Sequence, residues 1–434
     1  MRLFVKHTGP LAVLTLLLAA CSSLPAPQSD QPASRLGAQG SSSKGYLLQV
    51  KATSATTPAK LAAAYPGSTL LSLQSAQGYA LLAVDSYKPS SDILSAEKNV
   101  KVKQGDASVG AQGFTTWAGG FTAWAGGFTA WAGGTTTNTS FSENSAIWNR
   151  INLGSAQQLI PELGKGVTIA VIDSGLDLNH PAFQGKLDLN NDYDYVDNDT
   201  VPQDVNPNTD GTYASGYGHG TAVAGVILQI APNATLLPLR VLSPDGSGDV
   251  SNVISAIERA TSAGAKIINL SLGSMTDVRA LNTAIGSAAQ KGVIFFSSTG
   301  NTGDTAVTYP AANSMVLNNT GIGQIGVGSV SPVLLKSSFS TYGQVEMTAI
   351  GENVKTLFPG GLTVRASGTS FSAPMAAGVA ALVISTSQTG FYPNQSTALL
   401  KNMLNTAQPT LDPVYGQQLG SGTLNALSLV KLYR

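Results

Sequence analysis

Short apolar runs and amphipathic segments alternate along the chain from about residue 148 to the C-terminus. The runs 167–172 and 293–296 are almost continuously apolar, whereas apolar residues recur at helical spacing in 250–263. Strands that are apolar on both faces are typical of a parallel sheet covered by helices on both sides. The pattern therefore predicts a three-layer α/β domain with a mostly parallel sheet. The predicted strands are Val167–Ile172, Leu236–Val241, Lys266–Leu272 and Val293–Phe296, and the predicted helices are Gly220–Gln229, Val250–Ala263, Val278–Lys291 and Ser370–Ser387.

A smaller unit, residues 44–104, precedes this domain. Its apolar segments Tyr46–Val50 and Tyr79–Val84 are predicted to be strands, and Pro58–Tyr65 and Ser90–Asn99 are predicted to be short helices. The unit is therefore expected to be a small α+β domain. No residue within it is diagnostic of a chemistry.

The N-terminus has the pattern of a secretory leader. A basic start precedes an apolar run of about ten residues, which is too short to span a bilayer as a helix. The only cysteine, Cys21, directly follows Leu18-Ala19-Ala20, a pattern that resembles the bacterial lipobox. We therefore expect a leader over 1–20, a lipid on Cys21 that holds the precursor at the membrane, and a flexible tether over 21–43. The alternative is an ordinary signal peptide with an incidental cysteine.

A seven-residue motif occurs three times, in Phe114–Gly120, Phe121–Gly127 and Phe128–Gly134. Its paired glycines exclude a coiled coil, because glycine is a poor helix former. Segment 105–145 is therefore predicted to be a low-complexity linker that leads into the large domain over 146–434. The alternative is an extended strip that docks on the large domain or occupies its cleft before maturation.

Charged residues form only 11% of the 434 residues, well below the roughly 25% of ordinary soluble proteins. Basic and acidic residues balance at 24 each. Without a basic excess, nucleic acid is not an expected partner. A neutral, polar surface favours a location outside the cell or at the cell envelope, in agreement with the leader.

Four residues whose side chains can exchange protons or form hydrogen bonds are expected at one edge of the sheet. Asp173 ends a strand, Asn301 follows a strand, and His219 and Ser370 begin helices, and ligands of such sheets bind beyond the carboxyl ends of the strands. A serine hydroxyl needs a base to act as a nucleophile, and a buried carboxylate would hold the imidazole in one tautomer. The backbone amide of Ser370 and the side chain of Asn301 can donate hydrogen bonds to an oxyanion.

The sequence around these residues resembles the subtilisin family. Asp173–Gly175, Gly218–Gly225 and Gly368–Pro374 resemble its three signature blocks in the family's order, and Thr299–Asn301 resembles its oxyanion block. The resemblance covers about residue 148 to the C-terminus. It implies a subtilisin-like fold and a serine endopeptidase, made as a zymogen, that acts on proteins or peptides. A compact unit before a protease suggests a propeptide, so residues 44–104 are expected to be an inhibitor-like propeptide that binds the enzyme. We expect the enzyme to be a monomer. Ala222 departs from the family, which often has a second histidine there that is not a triad member.

The resemblance also implies roles for individual residues. Asp173, His219 and Ser370 would form the catalytic triad, and Asn301 would complete the oxyanion site. The substrate would be added as a strand between two segments of the enzyme. These segments are Ser271, Leu272 and Gly273 on one side and Gly246, Ser247 and Gly248 on the other. We expect a preference for uncharged, apolar side chains, because the expected pocket wall over 298–303 carries no charge.

Residues 194–203 carry three carboxylates and one glutamine amide, and calcium prefers six to eight oxygen ligands from such loops. The segment resembles a calcium loop of thermitase-like subtilases. The resemblance implies a structural Ca²⁺ held by Asp194, Asp197, Asp199, the carbonyl of Val201, and Gln203. The alternative is a solvated acidic loop. A second calcium site, which many subtilisins insert after the helix that begins at the catalytic histidine, is not expected here.

A different class of function fits some of the same features. A catalytically inactive surface lipoprotein could use this fold, its Trp-Ala-Gly-Gly repeats and its sheet edges to bind a partner. Labelling with a fluorophosphonate distinguishes the two, because it requires an activated serine.

Overall fold

The computed structural model describes residues 44–104, 129–130, 141–316, 323–387 and 392–434. The predicted leader, the tether, Cys21 and most of the repeat segment lie outside the described residues. Within the described ranges, no helix has the length and the hydropathy that crossing a membrane requires.

The unit 44–104 folds as a four-stranded antiparallel sheet with the strand order β2-β3-β1-β4 and one helix, α1. The two predicted strands and the helix that begins at Pro58 are present. The predicted helix over Ser90–Asn99 is wrong, because residues 93–98 form β4, pair with β1 and alternate between half-buried and exposed side chains. The bounds are β1 Tyr46–Lys51, α1 Pro58–Ala64, β2 Thr69–Gln74, β3 Tyr79–Val84 and β4 Ile93–Lys98.

The large domain is built around a seven-stranded sheet with the order β14-β13-β12-β11-β7-β9-β8. All six pairings in this sheet are parallel, which confirms the predicted α/β class. The strands are β7 Thr168–Asp173, β8 Tyr193–Asp194, β9 Thr235–Arg240, β11 Ile267–Leu270, β12 Ile294–Ser298, β13 Gln324–Val330 and β14 Met347–Ile350.

Helices cover both faces of this sheet. Along β7, Ile169 and Val171 pack in an apolar cluster with helices α4 and α7, whereas Ala170 and Ile172 pack in a second cluster with α5 and α6. Every residue of α4 and α7 is buried, as expected for helices that are apolar on all sides. The helices are α2 Ser145–Arg150, α3 Leu153–Leu159, α4 His219–Ile230, α5 Val250–Ser262, α6 Arg279–Gln290, α7 Thr369–Ile384, α8 Pro393–Asn405 and α9 Ala426–Val430.

Two small sheets lie beside the large one. The hairpin of β15 (Val354–Phe358) and β16 (Leu362–Ala366) takes up a third strand, β6 (Thr129–Ala130), which comes from the last copy of the seven-residue motif. The other sheet joins β5 (Lys101–Lys103) to β10 (Ser247–Asp249) in antiparallel fashion. This second pairing connects the end of the small unit to the large domain.

The small unit also packs against the outer helices of the large domain. One face of its sheet, with Leu47, Tyr79 and Leu81, belongs to the same apolar cluster as α5 and α6. At the rim of this contact, the Ser72 hydroxyl donates a hydrogen bond of 2.8 Å to Glu258 on α5. The unit thus covers helices that would otherwise expose apolar surface to water.

Candidate active site

Asp173 and His219 form a buried hydrogen bond at the carboxyl end of the sheet. Asp173 is the last residue of β7, His219 is the first residue of α4, and the Nδ1 atom of His219 lies 2.7 Å from Asp173 Oδ1. Both side chains are at most 3% exposed. The backbone N–H of Ser174 donates to the same carboxylate oxygen at 2.7 Å. With Nδ1 held by Asp173, the Nε2 atom on the other side of the ring points away from the carboxylate.

Ser370 lies at the start of α7 and is 3% exposed. Its hydroxyl lies 3.4 Å from the carbonyl oxygen of Ser271 and donates to it. The ring of Phe371, the next residue in the chain, lies 5.8 Å from the His219 ring, measured between centroids. The start of α7 therefore lies beside the imidazole ring of His219.

The side chain of Asn301 is held in one orientation by hydrogen bonds from the start of α7. Its Oδ1 atom accepts hydrogen bonds from the backbone N–H and the hydroxyl of Thr369, both at 2.9 Å. The Nδ2 atom then faces the backbone of Gly368, where a Cβ atom would lie 3.6 Å from it. A donor in this position, next to the first amides of a helix, suits a developing negative charge.

His180 is the other histidine in the described part of the chain, and both of its ring nitrogens have structural partners. Nε2 lies 3.1 Å from the carbonyl oxygen of Leu362, and Nδ1 accepts the backbone N–H of Ala182 at 3.2 Å. Burial lowers the pKa of His180, so its neutral form is favoured. These bonds fix the loop after β7 to β16.

The two predicted substrate-binding segments flank an extended strand that is part of the chain itself. Lys103 exchanges two backbone hydrogen bonds with Gly273, at 2.9 and 2.8 Å, on one side of the cleft. On the other side β5 pairs with β10, and the backbone N–H of Gln104 donates to Gly246 at 3.0 Å. Residues 101–104 are therefore bound in the way expected of a peptide substrate.

Val102, in the middle of this strand, is fully buried. It belongs to the apolar cluster that also contains Leu242, Ile254 and Leu272 of the large domain. A Cβ atom at Gly248, opposite Val102, would collide with the carbonyl oxygen of Val241, so the close approach of the Val241 backbone requires glycine there. Sequence reasoning predicted the two walls of the cleft but not this apolar side pocket.

Thr308 narrows the cleft on the other side of the strand, and sequence reasoning missed it. A Cβ atom at Gly273 would collide with the Thr308 side chain, and one at Gly300 would lie 3.1 Å from its methyl group. Asp304, whose orientation the sequence left open, is exposed and accepts bonds from Thr302 and Ala306 of its own loop. These bonds lower the pKa of Asp304, and its charge remains on the surface. The walls of the pocket are thus small and uncharged.

Comparison with known proteins agrees with this geometry. A sequence profile described as the Subtilase family matches residues 164–422, more than half of the chain. The chain belongs to the subtilase family. As a subtilase it is a serine endopeptidase.

Individual subtilases resemble the chain over the large domain. It is 38% identical over 228 residues to thermitase of Thermoactinomyces vulgaris, covering 51% of this chain and 76% of thermitase. It is 33% identical over 275 residues to subtilisin BL of Lederbergia lenta, covering 61% of this chain and 90% of that protein. The crystal structure of a cold adapted subtilisin-like serine proteinase matches with a TM-score of 0.50 and 35% identity, over 60% of this chain and 88% of that one.

The predicted calcium ligands of this subtilase have other partners. Arg240 donates one hydrogen bond to Asp194 and one to Asp197, both at 2.6 Å, and is itself only 3% exposed. The amide oxygen of Gln203 accepts the backbone N–H of Leu178 at 3.1 Å.

Two further carboxylate oxygens of the loop also accept hydrogen bonds. Oδ1 of Asp194 accepts two backbone N–H groups of its own loop, and Oδ1 of Asp199 accepts the backbone N–H of Val201. Nowhere in the described ranges do three or more Asp, Glu, His or Cys side chains converge as metal ligands. The arrangement does not fit the expected Ca²⁺ site, because a guanidinium already lies between two of the carboxylates.

A second carboxyl group close to Asp173 was also missed from the sequence. Asp204 is 4% exposed and accepts hydrogen bonds from Thr221, which follows His219 in α4, and from Ser174, which follows Asp173. Burial raises the pKa of Asp204 to about 8. No local pattern identifies this residue, because its partners lie 17 and 30 positions away in the sequence.

Proposed function

We propose that this subtilase hydrolyses peptide bonds through an acyl-enzyme, with Asp173, His219 and Ser370 as its triad and Asn301 in the oxyanion site. The observation that carries the proposal is the buried 2.7 Å bond between Asp173 and His219, beside the helix that begins with Ser370. A buried carboxylate fixes the tautomer of the imidazole and stabilises the imidazolium formed during the reaction.

The proposed reaction proceeds in two halves. His219 Nε2 takes the proton of the Ser370 hydroxyl as Oγ bonds to the peptide carbonyl carbon, and the oxyanion accepts hydrogen bonds from Asn301 Nδ2 and the Ser370 backbone amide. The C–N bond then breaks as the imidazolium gives its proton to the leaving amine. In the second half, His219 deprotonates water, which attacks the acyl-enzyme and releases Ser370 with its proton restored.

The test is a comparison of two serines on one helix. Ser370→Ala should abolish both peptide hydrolysis and labelling by a fluorophosphonate, because both reactions use the Ser370 hydroxyl as the nucleophile. Ser372→Ala is the matched control, since the Ser372 hydroxyl donates to Ala349 at 3.2 Å and is not part of the proposed site. Hydrolysis by Ser370→Ala at the wild-type rate would disprove the triad. A chain that is folded and never labels would instead support the inactive surface lipoprotein.

Residues 44–104 are proposed to be an inhibitory propeptide. Their sheet covers α5 and α6, and their last residues lie in the cleft between Gly246 and Gly273. An uncut strand in the substrate position blocks access of other peptides, so the enzyme is expected to be a zymogen until the linker is cut. Addition of a separate 44–104 peptide to the mature enzyme should inhibit it competitively.

The proposed substrates are proteins or peptides with a small, uncharged side chain before the cleaved bond. Thr308 reduces the room at this position, and the charge of Asp304 lies on the surface. The proposed activity requires no calcium at the loop 194–203, because Arg240 already pairs with two of its carboxylates. A monomer is sufficient, since one chain contains every residue of the proposed mechanism.

The enzyme is further proposed to be exported, with Cys21 lipidated in the precursor. Because the lipid would precede the propeptide, cutting the linker would separate the catalytic domain from its anchor unless the two fragments remain bound. Metabolic labelling with a fatty acid, compared between wild type and Cys21→Ser, tests the lipid. N-terminal sequencing of the secreted enzyme tests the separation.

A further inference from the structure

Asp204 joins the two turns that carry Asp173 and His219. Its Oδ2 atom accepts the Thr221 hydroxyl at 3.1 Å and lies 3.5 Å from the Ser174 hydroxyl. One buried side chain therefore contacts the residue after the catalytic aspartate and a residue in the first turn of the helix that begins with the catalytic histidine.

The two hydroxyl groups are oriented by these bonds. Because each hydroxyl has one proton, a Ser174 or Thr221 side chain that donates to Asp204 can only accept from its other neighbours. The Ser174 oxygen accepts the backbone N–H of Gly220 at 3.0 Å, and the Thr221 oxygen accepts the backbone N–H of Asp177 at 2.8 Å. The turn after β7 is thereby fastened to the first turn of α4.

The carboxylate of Asp173 shows why this orientation matters. Its Oδ1 atom accepts His219, whereas its Oδ2 atom is buried and accepts no hydrogen bond from the described residues. A Ser174 hydroxyl released from Asp204 could rotate toward Asp173 and compete with His219 for it. Loss of Asp204 would also leave two buried hydroxyl groups without their acceptor, which favours rearrangement of both turns.

We propose that Asp204 is a positioning residue, which holds the Asp173–His219 pair in its reactive geometry by accepting the Ser174 and Thr221 hydroxyls. The inference rests on the proposed triad, because Asp204 acts through it and does not contact the peptide. Its loss should therefore lower kcat and leave KM nearly unchanged, since the residues that bind the peptide backbone are separate from this network.

The experiment measures kcat per active site, counted by titration with a fluorophosphonate, together with KM and the melting temperature. Asp204→Ala should lower kcat by about tenfold or more, with KM within about twofold. The low-field resonance of the His219 Nδ1 proton should shift or broaden. Thr221→Val keeps the shape of threonine but removes the donor, so it should lower kcat in the same direction.

A double variant and a buried control complete the test. Asp204→Ala combined with Thr221→Val should lose no more activity than the worse single variant, because both remove the same bond. Asp192→Ala removes a carboxyl that is also 4% exposed but faces Arg259, and it should lower the melting temperature without changing kcat per active site.

The outcomes separate this inference from the proposed function. Unchanged kcat per active site in Asp204→Ala, or additive losses in the double variant, would overturn the positioning role and leave the triad intact. If Asp204→Ala fails to fold, Thr221→Val alone tests the positioning role. A wild-type kcat in Thr221→Val would then overturn that role. Failure of the triad itself would appear as activity that remains in Ser370→Ala.

Discussion

Lys103 and Gly273 face each other as one antiparallel pair and exchange both of their backbone hydrogen bonds. If this antiparallel register continues along both chains, we expect the position two residues after Lys103 to face Ser271. The Ser271 carbonyl is the group that the Ser370 hydroxyl contacts. The register of one pair therefore relates the strand over 101–103 to the proposed nucleophile, Ser370.

This register predicts where the chain is cut. We expect hydrolysis of the bond after position 105, so that the mature enzyme begins at 106, unless further trimming follows. N-terminal sequencing of the earliest processed form of the wild type identifies the cleavage site. The same sequencing is done on Ser370→Ala after a trace of active enzyme has been added to cut it, and the two cleavage sites are compared. A first cut more than a few residues away from position 105 would show that this strand is not held in the productive register.

Inhibition by the propeptide should depend on Val102. Val102→Ala removes about two methyl groups from a fully buried site, which should weaken inhibition by the separate 44–104 peptide by about tenfold. Lys101→Ala is the control, because the Lys101 side chain is 57% exposed and pairs with Asp249 at the surface. Exposed ion pairs contribute little binding free energy, so the inhibition constant of the Lys101→Ala peptide should stay within about fivefold of that of the unchanged peptide. Equal effects of the two variants would exclude a specific Val102 pocket.

Substrate selection should change when the pocket is widened. Thr308→Gly removes the side chain that lies against Gly273 and Gly300. We expect kcat/KM for a substrate with phenylalanine before the cleaved bond to rise about tenfold relative to one with alanine. Thr305→Gly, at an exposed position of the same loop, should leave this ratio unchanged. An unchanged ratio in Thr308→Gly would show that another residue limits the pocket.

Calcium removal should not destabilise the loop 194–203. In the inactive Ser370→Ala background, we expect the same melting temperature in calcium and in a calcium chelator. Arg240→Met should lower the free energy of unfolding by about 3 kcal/mol or more, because it leaves the buried Asp194 without its partner. Arg434→Met, which removes an exposed pair with Glu162, should cost under about 1 kcal/mol. A fall of several degrees on chelation would restore the calcium hypothesis.

The stability of the fold should also depend on Glu346, which is 7% exposed. Burial raises the pKa of Glu346 from 4.5 to about 7, so the folded chain binds a proton that the unfolded chain has already lost between these values. The free energy of unfolding should therefore fall as pH rises from about 4.5 to about 7 and change little above that. Between pH 5 and 8, the free energy of unfolding of the wild type should fall by about 2.5 kcal/mol more than that of Glu346→Gln.

Two measurements check this assignment. Chemical unfolding of both proteins at a series of pH values, in the Ser370→Ala background, gives the difference directly. The exposed Glu143→Gln serves as the control and should follow the wild-type pH dependence. Parallel curves for wild type and Glu346→Gln would mean that Glu346 does not titrate in this range.

Local sequence patterns predicted the catalytic end of the sheet because they act over short distances. An apolar run that stops at Asp173, and a glycine-flanked His219 before an apolar helix, determine where each element ends. The same reasoning failed over Ser90–Asn99, where Ala, Glu and Lys favour a helix but pairing with β1 imposes a strand. Arg240 was missed for a related reason, since its ion pairs reach more than 40 positions back along the chain.

Side chains of the small unit cap the N-termini of α5 and α6, the two helices that it covers. Glu97 accepts the backbone N–H groups of Arg279 and Ala280 at the start of α6, and Asn99 accepts that of Ser251 at the start of α5. Neither helix has a capping side chain of its own at its N-cap. Residues 44–104 are synthesised before α5 and α6, so the residues that cap these two helices are already present when the helices are made. The small unit can therefore act as a template on which the first turns of α5 and α6 form.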